Sequence, residues 1–99
     1  MKHLIPLILL AACGAQPAPF MIDAQRRDVQ VAGRDYSVFW TDTTVEVIRL
    51  GWATNGEHRG IRETMKELAG TITGCRLDER SLTGDSGEMR GRITCPSGV

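Results

Sequence analysis

The apolar run Leu4–Leu10, closed by Leu10-Ala11-Ala12-Cys13, decides how much of this chain is available to fold. It follows Met1-Lys2-His3. A cationic start, a short apolar stretch and small residues before a cut together make an export signal. Even the nine residues Leu4–Ala12 reach only about 14 Å at ~1.5 Å each, against a hydrocarbon core of about 30 Å, so the run is too short to span a bilayer. Pro6 also interrupts a continuous helix. Residues 1–12 are therefore read as a removed signal peptide, and fold reasoning starts at Cys13.

Leu10-Ala11-Ala12-Cys13 resembles the lipobox of bacterial lipoprotein precursors. The resemblance covers residues 1–13 only. It implies that Cys13 becomes the first mature residue, carrying diacylglyceryl on its thiol and usually an acyl chain on its amine. Several chains burying methylenes at about 0.8 kcal/mol each suffice for stable attachment. The expected location is the cell envelope, lipid-anchored and facing the periplasm. Gly14 stands where some bacteria use an aspartate for inner-membrane retention, which favours the outer membrane.

With Cys13 assigned to lipid, Cys75 and Cys95 remain, an even pair in an oxidising compartment, and a disulfide is expected. A domain of this size buries only about 60–65% of its unfolded surface and needs such a staple. Twelve Lys+Arg balance twelve Asp+Glu over the whole chain. Loss of Lys2 leaves the remainder about one charge negative, which gives no support to nucleic-acid binding.

Residues 13–19, Cys13 to Pro19, read as a lipidated tether that reaches about 20 Å at ~3.1 Å per residue. Residues 20–99 form one small domain. Phe20-Met21-Ile22 is more apolar than a linker requires and either docks on the domain or begins it. From Asp28 the pattern alternates: Val29 and Val31, a turn at Ala32–Asp35, then Tyr36, Val38 and Trp40. Asp42-Thr43 makes a tight turn, and Thr44–Leu50 a third strand. Phe39, Ile48 and Leu50 fall out of phase with one core face. Either a bulge shifts the register or the second face is also covered, by the N-terminal segment, a second copy or a partner.

Thr54-Asn55-Gly56-Glu57 matches a capping box. Ile61, Met65, Leu68, Ala69 and Ile72 then share one helical face, and Gly74 suits the left-handed position past the helix end. Two closing strands bring Cys75 opposite Cys95, Leu77 opposite Ile93 and Asp78 opposite Arg92. The same register sets Arg80 against Arg90, so pairing is expected to fray before Ser81. The fold class is α+β, ordered β-β-β-α-β-β: a small antiparallel sheet, one amphipathic helix on it, and a disulfide-closed C-terminal hairpin.

No catalytic set emerges. Gly84-Asp85-Ser86-Gly87 resembles the nucleophile motif of trypsin-like serine proteases over four residues, but Glu88 breaks the longer motif, and these residue types also suit a turn. His58, the one histidine beyond residue 12, is expected to be exposed. No spacing suits a metal or a phosphate-binding loop, so no cofactor is expected. Asp78-Glu79 point to opposite faces of a strand. Arg76, Arg80, Arg90 and Arg92 would line the outer face of the last hairpin, offset by nearby carboxylates. Trp40 and Trp52 are expected in the core.

Beyond the lipobox, the Gly-Cys pair after the helix and the C-terminal cysteine resemble small envelope lipoproteins, which implies no particular activity. The expected function is a non-catalytic structural or interaction module whose partner is an envelope protein or a second copy. An inhibitor of secreted proteases or lysozymes, using Leu82–Glu88 as its loop, is the alternative. A hydrolase using Ser86 is a remote one.

Overall fold

The structure, a computed structural model, describes residues 23–96. The expected signal peptide, Cys13, the expected tether and Phe20-Met21-Ile22 lie outside these residues.

The elements are β1 (Gln25–Val31), β2 (Arg34–Trp40), β3 (Thr44–Arg49), a short 3-10 turn (Asn55–Glu57), α1 (His58–Thr73), β4 (Arg76–Gly84) and β5 (Glu88–Thr94). All five strands form one antiparallel sheet in the order β1-β2-β3-β5-β4. The expected α+β order holds. β1 starts three residues earlier than the alternation suggested, because its polar first half is an edge strand: Gln25 to Asp28 pair with Trp40 to Ser37. The β1–β2 turn is the pair Ala32-Gly33, both at positive φ (53° and 77°), the geometry that matches the twist of a two-residue hairpin.

Register assigns every side chain to a face. Tyr36, Val38, Val45, Val47, Met89 and Ile93 point one way and pack against Ile61, Met65, Leu68 and Ala69 of α1. Thr54 caps the helix start, where the Glu57 carboxylate accepts the Thr54 N–H at 2.8 Å and its hydroxyl at 3.0 Å. Gly74, at φ 72°, ends the helix and donates its N–H to Gly70 O at 2.9 Å. Among the described residues, no helix is long and apolar enough to cross a membrane.

β2 and β3 pair without a bulge from Tyr36↔Arg49 to Trp40↔Val45. The out-of-phase residues therefore belong to the second face, opposite α1. Phe39 is buried there, and Ile48 and Leu50 are half-buried.

The closing hairpin is joined by the Cys75–Cys95 disulfide, with a Cα–Cα distance of 4.3 Å. Leu77↔Ile93 and Asp78↔Arg92 pair as expected. Regular pairing does stop before Ser81, after Asp78↔Arg92, but it resumes at Thr83. The register shifts, so that Thr83 pairs with Arg90 and four residues of β4, Glu79–Leu82, stand against Gly91 alone. Ser81 Oγ satisfies the irregularity, accepting the Arg92 N–H at 2.8 Å and donating to Asp78 O at 2.6 Å. A side chain at Gly91 would press on Leu77 and Leu82. The shift takes Arg80 off Arg90, and Arg90 is half-buried with its Nε 2.8 Å from Glu88 Oε2. The four arginines thus do not form one outer strip.

Candidate functional site

The antiparallel order gives the domain two poles. At one, the start of β1 meets the ends of β2, β5 and α1, with Gln25, Trp40, Thr73, Gly74 and Cys95 around one cleft. The described residues begin at this pole, just before β1. The other pole gathers the β1–β2 turn, the loop after β3, the start of α1 and the β4–β5 turn.

That far pole holds two features that the sequence did not disclose. The first is a junction between Ser86 and His58, whose Oγ and Nδ1 share a hydrogen bond of 2.5 Å across 28 residues of sequence. Gly84–Gly87 is indeed a turn. Gly84 sits at φ 99°, and a Cβ there would collide with the Glu88 carbonyl. Asp85 Oδ1 accepts the N–H groups of Gly87 (2.7 Å) and Glu88 (3.2 Å). Those bonds hold the Asp85 carboxyl below its usual range, helped by Arg49 and His58 nearby. The turn folds Ser86 inward to 7% exposure, and Arg49 Nη1 donates to Ser86 O at 3.1 Å. His58 is half-buried rather than exposed, because the first residue of α1 lies against this turn.

A Ser–His contact invites comparison with acyl transfer, which needs an accessible hydroxyl and free backbone N–H donors beside it. Here the Gly87 N–H is already committed to Asp85 and the serine is buried. The contact fastens a hairpin turn to a helix.

The second feature is Trp52, 92% exposed in the loop between β3 and α1. Its neighbours tie the loop backbone down and leave the ring outside. Arg34 Nη2 donates to Trp52 O at 3.4 Å and pairs with Glu57 Oε2 at 3.1 Å. The Glu57 carboxyl is held down at about 2, first by its bond from the Thr54 backbone and then by Arg34. The core position expected for Trp52 fails for a local reason. Gly51, at φ 87°, turns the chain away from the sheet before the tryptophan. Trp40 does pack at the edge of the core.

A third cluster lies on the second sheet face. Glu46, in the middle of the apolar strand β3, is buried, and its carboxyl hydrogen-bonds that of Glu88. Burial, then Glu46, pushes the Glu88 carboxyl up to about 7, while Arg90 opposes the rise. Carboxyls close enough to share a proton leave no room for the sugar linkage that a glycosidase pair flanks. Beside them a shallow cleft of about 410 Å³ is lined by Thr44, Ser81, Thr83, Arg90, Gly91 and Arg92. Among the described residues, no three His, Cys, Asp or Glu side chains converge as a metal site would require.

Leu82–Glu88, considered above as an inhibitory loop, is mostly strand. Leu82–Gly84 ends β4 and Glu88 opens β5. Cys13 lies outside the described residues. Compared with known proteins, the chain matches no family model, no curated protein and no solved structure.

Proposed function

We propose that this chain is a lipid-anchored interaction module of the bacterial envelope, held through Cys13 and presenting its far pole to a partner protein in the periplasm. The observation that carries this reading is Trp52. It is a large aromatic side chain left 92% exposed, at the pole opposite the one where β1 begins. Tryptophan concentrates binding energy when a partner buries it, and the Trp52 side chain buries little of its own surface in this fold. Arg34, Glu57 and the Ser86–His58 junction hold the surrounding backbone in place, so little ordering cost is left for binding.

A photo-crosslinking residue at position 52 in intact cells tests the reading. A reproducible adduct of one mass from position 52, absent from the exposed helix position Glu67, is expected. A monomeric domain with no adduct from position 52 contradicts it.

A second reading, a hydrolase using Ser86 with His58 as base, is favoured by the 2.5 Å contact alone. Fluorophosphonate labelling that Ser86→Ala abolishes would support it. An inhibitor acting through residues 82–88 would instead reduce the activity of a secreted protease or lysozyme, and substitutions in that turn would restore it.

A further inference from the structure

The sheet face opposite α1 is buried at its centre. Ser37, Phe39 and Glu46 are 0%, 4% and 3% exposed, although α1 packs on the other side. The side chains sharing that face include Arg26 and Asp28 of β1, Ile48 of β3, Leu50 beyond it, and Glu88 and Arg90 of β5. Most are polar. Over the Phe39 ring the described residues place the Arg26 guanidinium, 5.2 Å from the centroid. A single cation covers part of a phenyl ring. Burial of the rest requires a second layer, as any half-apolar sheet face does.

We propose that Phe20-Met21-Ile22 supplies that layer by docking on the helix-free face over Phe39. These are three consecutive apolar residues, placed just upstream of the strand that borders Phe39. Arg26 is the direct partner of Phe39 across the β1–β2 pair. Ile22 is four residues before Arg26, a span of up to about 14 Å at ~3.3–3.6 Å per residue. Phe39 lies one strand further in, at about 4.8 Å. The C-terminal residues 97–99 are the poorer candidate. They offer one apolar side chain, Val99, and leave from β5, two strands away from β2. Docking at residues 20–22 leaves residues 14–19 as the free tether and fixes the pole where β1 begins toward the membrane. The inference stands without the lipid anchor, because residues 20–22 are present whether or not the signal is removed.

The test uses the full-length protein purified in detergent. A benzophenone residue at Phe20 is activated, and adducts are mapped after tryptic digestion, in a mixture of light and heavy-isotope chains. The expected adduct joins position 20 to the peptide 35–49 of the same chain. Adducts on α1, on lipid only, or between light and heavy chains overturn the proposal, the last by assigning the face to a second copy. In parallel, Phe20→Ser/Met21→Ser/Ile22→Ser should lower Tm by at least about 5 °C in a domain of this size. Adding Phe39→Ala to it should cost less than the same change in the unaltered chain, because the two share one contact. An unchanged Tm, with hydrogen exchange of residues 37–48 also unchanged, contradicts the proposal.

Discussion

Glu46 of β3 and Glu88 of β5 meet on the helix-free face, where their carboxyl groups share a hydrogen bond and Arg90 lies beside them. Burial raises Glu88 to about 7, above its ordinary 4.5. A carboxyl raised on folding stabilises the native state fully below its unfolded value, and this contribution fades as pH climbs through the folded value. The urea midpoint should therefore fall between pH 5 and pH 8, and Glu88→Gln should flatten that fall. Glu57 works in the opposite window. Depressed to about 2, it stabilises the fold above about pH 4.5 and stops doing so as pH drops toward 2. An equal pH 5–8 dependence in Glu88→Gln would count against the pairing.

Ala32 occupies a left-handed position, φ 53°, next to Gly33 in the first hairpin. That conformation costs an alanine roughly 1 kcal/mol, and asparagine tolerates it. Ala32→Asn should raise stability by about 0.5–1 kcal/mol, read as a Tm gain of several degrees. Ala32→Val should lower it.

The bond between Ser86 and His58 fastens the β4–β5 turn to the start of α1. Ser86→Ala and His58→Ala should each cost about 1–2 kcal/mol in chemical denaturation, and the double variant little more than either single. Additive losses would show that the two side chains act separately.

The disulfide closes a segment with a sequence separation of 20 at the pole where β1 begins. Reduction, or Cys75→Ser with Cys95→Ser, should cost about 3 kcal/mol in the chain-entropy account. Melting curves with and without reductant measure it directly, and overlapping curves would refute it.

Local chemistry announced most of the fold. The Thr54–Glu57 cap, the Ile61–Met65–Leu68–Ala69 face, Gly74 and the Leu77↔Ile93 pairing all follow from spacings of a few residues. What stayed hidden depends on contacts distant in sequence. His58 looked exposed because its partner is 28 residues away, in a turn whose residue types fully explain a turn. Glu46 is buried beside Phe39 of β2 and hydrogen-bonds Glu88 of β5, a contact 42 residues away in sequence that no local spacing announces. Arg80 against Arg90 predicted fraying. Regular pairing does lapse there, and the strand regains it by inserting residues opposite Gly91, where no side chain resists Leu77 and Leu82. Trp52 carried no periodic signal in either direction.

Cys75 and Cys95 are joined to each other, and the proposed function commits Cys13 to lipid. Mass spectrometry of the N-terminal peptide from protein extracted out of native membranes tests it most directly. The account predicts a peptide beginning at Cys13 with diacylglyceryl on sulfur, and an intact Cys75–Cys95 cross-link in the remainder. A peptide beginning at Met1, or Cys13 bonded to either of the other cysteines, would contradict it.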